Sequence, residues 1–400
     1  MEKKRQIIHV FDDDKFIDSA IALFESVFPN KSIYYVISNK RIESFKYVKS
    51  NQVEPICLDE NAHYEEFSKL INNSVSKIIF IHALDKKKQK LTRYLSTDVV
   101  KVWFVWGYDL YNKWKPLERK LYGKKTLSFI DKRKSSKERL KEVLLYKFDL
   151  YKRFKNYSQI YNSNYYKTVH EIDVFVPVIP TEFEIISSLN TRLIYAPFNY
   201  VCLEHTIGDK MNNSVQGKEN ILVGNSASAS NNHVEVFEKL SRIDLKNRKV
   251  IVPLSYGGSK EYLDFVIKNG NKLLGDNFQP ILSFMPLEKY NKLILSCGHV
   301  IFNHIRQQAV GNIITMGYVG AKLYFNKNSV AYKYYKSVDL EIHSMNDVND
   351  KNLNKPMTKK GFKNNQMILT GLYSLENVQN KIKELFEIVY RVSKTKKRDL

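Results

Sequence analysis

The chain predicts an α/β protein of two domains, each a mostly parallel sheet with helices on both faces, and three observations point to it. Its 400 residues, 43% of them hydrophobic, exceed what one core usually serves. Short β-branched and aromatic runs alternate with helical periodicities along most of its length. Near the middle, the polar stretch EHTIGDKMNNSVQGKEN separates two such series, as a linker does.

The first series begins with a strand from Ile7 to Phe11 and a helix from Phe16 to Val27, with Phe16, Ala20, Leu23 and Phe24 on one face and Pro29 and Asn30 closing it. Strands follow at Ser32 to Ile37, Lys77 to Ile81, Val100 to Trp106, Val174 to Val178 and Arg192 to Ala196. The first domain therefore spans 1–203, with a basic helical insertion at about 111–160, and the linker covers 204–220. The second domain, 221–371, alternates more clearly and is Rossmann-like by pattern. Its strands fall at Ile221 to Val223, Lys249 to Pro253, Phe278 to Leu282, His299 to Asn303 and Lys322 to Phe325. Helices intervene at Asn232 to Leu240, Lys260 to Lys268, Leu287 to Ser296 and Gln307 to Met316. A last helix, about Leu372 to Ser393, and a basic tail occupy 372–400. No period of 20 to 50 residues recurs, which excludes a solenoid.

Composition narrows the function. The opening MEKKRQIIHVFDDDKF lacks the apolar core and cleavage site of a signal peptide, and no run of about 18 apolar residues occurs, so a cytoplasmic location is expected. Cys57, Cys202 and Cys297 form no CxxC pair and read as buried thiols. The formal charge of +22 suits nucleic acid, anionic lipid or phosphorylated substrates. Nucleic acid is the least favoured, because neither an RNP-like string nor a helix-turn-helix pattern accompanies the charge. The charge concentrates between Lys113 and Lys155, where Trp114, Leu117 and Leu121 are interleaved as on an interfacial helix. Lys113, Trp114, Leu117, Lys132, Arg133 and Lys134 are thus candidates for contact with an anionic membrane surface.

Ligands of open parallel sheets sit at the carboxyl ends of the strands, so the loops after Val223, Pro253, Leu282 and Asn303 are the candidate donor site. VGNSASASNN offers Gly224, Asn225 and Ser226, with small hydroxyls and free amides before a helix. HIRQQAVGN brings Arg306, Gln307 and Gln308 to another helix start. Capping of the following helix is the competing explanation for the Ser and Asn residues. In the first domain VWFVWGYDLY ends a strand at Gly107 and delivers Asp109, a candidate general base or, equally, a helix cap. His82 also ends a strand. Asp12, Asp13 and Asp14 contain a DxD pattern, but consecutive aspartates after a first strand more often cap the next helix, so no metal is expected there.

The strings IIHVFDDDKF, IIFIHAL, VWFVWGYDLY, ILVGNSASASNNHVEVFEKL, KVIVPLSYGG and FMPLEKYNKLILSCGHVIFNHIRQQAVGNI, in this order, resemble glycosyltransferase family 56 over about residues 5 to 330. This is the 4-acetamido-4,6-dideoxygalactose transferase family of enterobacterial common antigen synthesis. The resemblance implies the GT-B fold, two Rossmann-like domains facing each other across a cleft. It also implies a metal-independent enzyme without cofactor, peripheral to the cytoplasmic membrane, moving sugar from a dTDP-sugar to a polyprenyl-diphosphate-linked or other glycan acceptor. Carried over by position, it implicates Gly224, Asn225, Ser226, Tyr256, Arg306, Gln307, Gln308, Gly311 and Asn312 in donor binding. Asp13, Trp106, Gly107 and Tyr111 fall to the acceptor side, with Asp109 or His82 as the base. A UDP-sugar-dependent capsule, lipopolysaccharide or teichoic-acid glycosyltransferase is the alternative within the same fold.

Overall fold

The computed structural model describes residues 7–112, 115–140 and 157–398. They form two compact units. Met1–Trp114, Tyr151–Cys202 and Leu375–Leu400 make the first, and Lys115–Leu150 with Leu203–Ser374 the second.

The first unit is a seven-stranded sheet of β1 (Ile7–Phe11), β2 (Ser32–Ser38), β3 (Val53–Cys57), β4 (Ile78–His82), β5 (Val100–Phe104), β6 (Val174–Val176) and β7 (Ile194–Tyr195). Its order is β3-β2-β1-β4-β5-β6-β7 and every pairing is parallel. β1, β4 and β5 are buried at every residue, because helices cover both faces, and so they read in sequence as unbroken apolar runs. β3 escaped sequence reading because Glu54 and Pro55 interrupt its apolar run, proline being tolerated only at a sheet edge.

The second unit is a six-stranded parallel sheet of β8 (Asn220–Val223), β9 (Val250–Pro253), β10 (Phe278–Ile281), β11 (Cys297–Phe302), β12 (Lys322–Phe325) and β13 (His343–Ser344). The order is β10-β9-β8-β11-β12-β13. In both sheets the order reverses beside the first strand, between β1 and β4 and between β8 and β11. That reversal opens a crevice at the carboxyl ends of those strands.

Three expected boundaries shift. The final helix, Leu375–Arg398, belongs to the first unit: Val378, Ile382, Leu385, Phe386 and Val389 join the core formed by Phe24, Phe80 and Phe104. Phe386 stacks on Phe28 at 4.4 Å, and Lys396 Nζ donates to Asp173 at 2.8 Å. The helical period was visible in the sequence, but its partner lies some 350 residues away. Residues 115–140 of the basic segment, expected as an insertion in the first domain, are instead built into the second. There Thr126 N and Oγ1 donate to Glu235, Phe129 stacks on Phe265 at 4.4 Å, and Leu121 is buried. The polar stretch read as a linker is folded too: Leu203–Ile207 is helical, and the amide of the buried Val215 donates to Val319 O.

Candidate functional site

The crevice of the second unit is lined by the loops after β8 and β11. Gly224 ends β8 with φ +67°, and a Cβ there would lie 2.9 Å from Asn231 Oδ1. Glycine is what allows the chain to turn this tightly. Gly258, after β9, has φ +72°, and its missing Cβ leaves room for the Ala227 carbonyl. A chain of side-chain hydrogen bonds then crosses from one loop to the other. Arg306 Nε donates to Ser230 Oγ at 3.2 Å, Ser230 Oγ to Gln308 Oε1 at 2.7 Å, and Gln308 Nε2 to Asn225 Oδ1 at 2.7 Å. Asn225 Nδ2 donates to the hydroxyl of Tyr256, a side chain 45% exposed, at 3.1 Å. Asn312 Nδ2 donates to Tyr290 Oη at 2.9 Å. Gln307 is half-buried beside this chain, and a Cβ at Gly311 would meet no heavy atom within 4 Å.

Capping does not explain these polar residues. Helix His233–Leu240 starts from Asn232 (φ 52°) and helix Val310–Tyr318 from Ala309 (φ 58°), and neither cap residue's side chain accepts a first-turn amide. Two sets of helix N-terminal amides are thus left without side-chain caps beside an Arg guanidinium, which can take an anionic group such as a diphosphate. Asn232 is used otherwise: its Nδ2 donates to Leu121 O and Asn303 O, and its Oδ1 accepts from Gly123 N. His304 is buried and held neutral, its pKa lowered to about 3 by burial. Ser226, expected at the donor, is buried, and its carbonyl accepts from Asn231 Nδ2 at 2.8 Å. It braces the loop from inside. Ser230 and Asn232 were missed because a run of alternating Ser, Ala and Asn gives no sign of which side chains face the partner loop.

The crevice of the first unit is closed by ions. Lys88 is fully buried, and its ammonium donates to Asp12 at 2.6 Å and lies 3.4 Å from Asp85. Lys87 donates to the other oxygen of Asp12 at 2.9 Å. These lysines hold the Asp12 carboxyl below its usual pKa against the opposing effect of burial, the largest single influence. Asp13, expected on the acceptor side, accepts from the amides of Lys46, Tyr47 and Val48, and Asp14 from Phe16 N. The three aspartates therefore bind lysines and loop amides. Among the described residues no group of three or more His, Cys, Asp or Glu could hold a metal ion.

Asp109 and His82, the expected bases, are both inaccessible. Asp109 is 0% exposed, and its oxygens accept from Leu84 N, Trp103 Nε1 and Trp106 N at 2.6–2.9 Å. Burial raises its pKa. It ties the turns after β4 and β5 together, helped by the φ of +89° at Gly107. Tyr111 is likewise buried core. His82 is 0% exposed, with Nε2 3.2 Å from His9 Nδ1 and Nδ1 2.6 Å from Tyr200 Oη. The groups of this constellation that reach the surface are Trp106, whose Nε1 donates to Tyr200 Oη at 2.7 Å, Tyr200 itself, and Phe16, edge-on to Trp106 at 6.2 Å. Tyr200 follows β7, a two-residue strand whose carboxyl end sequence reading placed but did not search.

Of the candidate membrane residues, Lys113 and Trp114 lie outside the described residues, as does the side chain of Leu117. Lys132 and Arg133 are exposed, with Arg133 over the Phe129 ring at 4.3 Å, and Lys134 lies 3.5 Å from Asp131. Leu121 is buried and cannot face lipid. Among the described residues no helix is long and apolar enough to cross a membrane.

Comparison with known proteins agrees with this architecture. The chain is similar over 96% of its length to a glycosyltransferase from Rickettsia africae (12% identity, 98% of that chain, TM-score 0.59). It is similar over 96% of its length to Anabaena HepE in complex with UDP-glucose (10% identity, 99% of that chain, TM-score 0.62). Sucrose-phosphate synthase of Thermosynechococcus elongatus aligns over 97% of this chain and 100% of its own (8% identity, TM-score 0.58). At these identities the likeness establishes the fold, the GT-B class. Residues 141–355, more than half the chain, match the model of the family described as 4-alpha-L-fucosyltransferase, glycosyl transferase group 56. The chain belongs to glycosyltransferase family 56.

Proposed function

We propose that this glycosyltransferase takes its sugar, a deoxyamino sugar, from a dTDP-linked donor held by the second unit, and passes it to a hydroxyl of a lipid-linked or surface-glycan acceptor bound at the first. The observation that carries the donor assignment is the hydrogen-bonded chain Arg306–Ser230–Gln308–Asn225 across the crevice between β8 and β11, flanked by two helix starts without side-chain caps. In the reaction the acceptor oxygen bonds to the anomeric carbon as the sugar–diphosphate bond breaks and the diphosphate leaves with the electron pair. Arg306 and the loop amides would stabilise the charge gathering there, the dominant electrostatic contribution when no metal is present. The neutral amides and hydroxyls of this crevice support that metal-independent reading, as does the engagement of Asp12, Asp13 and Asp14 by lysines and amides. Turnover is accordingly expected to survive excess EDTA, and rescue by Mg²⁺ after loss would overturn it.

UDP is the second reading for the base, favoured by the likeness to HepE, whose structure holds UDP-glucose. Thermal-shift titration with dTDP, UDP, GDP and CMP separates the two, since a ligand at a hundred times its dissociation constant adds about 2.7 kcal/mol. Gln308→Ala and Arg306→Ala should lose most of that shift while folding normally. Retention of the full shift in both would place the donor elsewhere.

We further propose peripheral association with the cytoplasmic face of an anionic membrane through the basic segment, supported by the exposure of Lys132 and Arg133. Co-sedimentation with anionic and neutral vesicles tests it. Binding that ignores vesicle charge, or that survives Lys132→Glu/Arg133→Glu/Lys134→Glu intact, would refute it.

A further inference from the structure

The crevice of the second unit has an apolar lip. β9 and β10 run side by side, with Pro253 opposite Ile281 and Leu254 N donating to Ile281 O at 2.8 Å, so the loops that follow them leave the sheet together. The first loop carries Tyr256 and the second Leu282 and Phe284, side chains 45%, 52% and 85% exposed. Single apolar side chains on a surface need no explanation, but three on adjacent loops beside a ligand crevice mark a binding face. Among the described residues no aromatic ring or cation packs on Phe284.

Tyr256 is held in place while its ring stays open to solvent. Its carbonyl accepts from Ala227 N at 2.8 Å and its hydroxyl from Asn225 Nδ2 at 3.1 Å. Asn225 Oδ1 in turn accepts from Gln308 Nε2, so the ring is tied to the hydrogen-bonded chain across the crevice. The Phe284 loop stands one strand further out in the order β10-β9-β8. Neighbouring strands are about 4.8 Å apart, which puts the end of β10 about 10 Å from the end of β8. The pentose of a nucleotide bridges a gap of that order, from a phosphate at β8 to a base over Phe284. The amides of Ser283 and Phe284 donate to no described residue and are open to the polar edge of such a base.

We propose that Phe284 is the platform on which the nucleobase of the donor stacks, with Tyr256 and Leu282 flanking it. This rests on the reading that the second unit holds the diphosphate, and it adds the side chain that makes a nucleotide bind more tightly than a bare diphosphate. Every base has a planar π face for such a ring. A hexose would need partners for its hydroxyls, and the one hydroxyl among these three side chains already accepts from Asn225.

The probes are dTDP, UDP and inorganic pyrophosphate, titrated calorimetrically against the full chain. Phe284→Ala and Phe284→Leu should weaken both nucleotides about five- to a hundredfold, the value of one base–aromatic stack, and leave pyrophosphate affinity unchanged. Phe284→Trp should keep nucleotide affinity, and its added indole fluorescence, taken as the difference from wild type, should be quenched by dTDP and not by pyrophosphate. Phe284 is so exposed that none of these changes threatens folding. Nucleotide affinity unchanged in Phe284→Ala, full affinity in Phe284→Leu, or an equal loss for pyrophosphate would each overturn the stacking role. Loss of binding to anionic vesicles in Phe284→Ala, with nucleotide affinity intact, would give the lip to a membrane instead. Arg306→Ala separates the two readings: if it leaves both pyrophosphate and nucleotide affinity intact, the placement of the diphosphate has failed, whatever Phe284 does.

Discussion

Mild acid should unfold the second unit well above the pH at which its carboxylates protonate. His233, His299 and His304 are 0–2% exposed, with pKa values lowered by burial to about 3, about 4 and about 3. Lys322 and Arg248 add to the lowering at His299, while at His304 the hydrogen bond to the Arg306 carbonyl works against burial without overcoming it. In each case the folded value lies below the unfolded one, so the unfolded chain binds more protons below about pH 6.5. Stability is therefore complete above that value and is lost as pH falls from it towards 4. Between pH 7.5 and 5.5 each histidine removes about 1.3 kcal/mol, and the three together about 4 kcal/mol. That is a large fraction of the stability of an ordinary domain. Asp131 and Asp347 have lowered values, titrate below this window and act in the same direction. Two buried thiols report the units separately, Cys202 in the first and Cys297 in the second, both 0% exposed. Urea unfolding followed by mass-spectrometric labelling of each thiol at pH 7.5 and 5.5 should show the Cys297 midpoint falling sharply. His299→Gln should remove about 1.3 kcal/mol of the fall, its own share. An unchanged Cys297 midpoint would mean that these histidines are protonated, and hence hydrated, in the folded protein.

Gly224→Ala should cost about 1–3 kcal/mol and weaken nucleotide binding together, because it forces a side chain into φ +67° against Asn231; unchanged nucleotide affinity would show that the turn does not position the donor loop. Phe386→Ala should destabilise the first unit by about 3–5 kcal/mol, read at Cys202, while leaving the Cys297 midpoint in place. Equal loss at both thiols would show that the two units unfold as one.

Much of the fold was legible because buried parallel strands announce themselves. The runs at β1, β4, β5, β8, β9 and β11 are apolar, short and separated by helical periods, and each was located within two or three residues. Legibility failed where identity depends on a distant partner. Nothing in LENVQNKIKELFEIVY says which core its apolar stripe joins, and nothing in the basic segment says that Thr126 seeks Glu235. The donor loops were found from topology alone, since a loop after a strand beside the order reversal has one place to go. Residues within them were ranked less well: Ser226 and Ser230 are chemically identical in sequence and equally buried, and only the fold gives one hydroxyl to Ser228 N and Asn231 of its own loop and the other to Gln308 and Arg306 of the partner loop. In the first unit, chemistry-bearing types were read as surface groups. Asp109 and His82 are held in the core by three and two polar partners, and the groups that reach the surface are tyrosine and tryptophan.

The same contrast yields a prediction about the aspartates. The crevice of the second unit is lined by neutral amides and hydroxyls with one guanidinium, whereas in the first the corresponding place is filled by Lys87, Lys88, Asp12 and Asp85. A wholly buried ammonium is tolerated only with a carboxylate against it, and removing one partner of such a pair typically costs about 3–5 kcal/mol. Asp85 remains 3.4 Å from Lys88 after Asp12→Ala, and Asp12 itself is 28% exposed, so a loss near the lower limit, about 3 kcal/mol, is expected. The companion Asp12→Ala/Lys88→Met removes both charges and should recover most of that loss, because a straight apolar chain fills the channel without needing a counter-ion. Urea unfolding read at Cys202, with and without EDTA, compares wild type with both variants. If Asp12 served a divalent cation, EDTA would lower the wild-type midpoint and the double variant would not recover. A wild type indifferent to EDTA, with recovery in the double variant, assigns the carboxylate to its lysines.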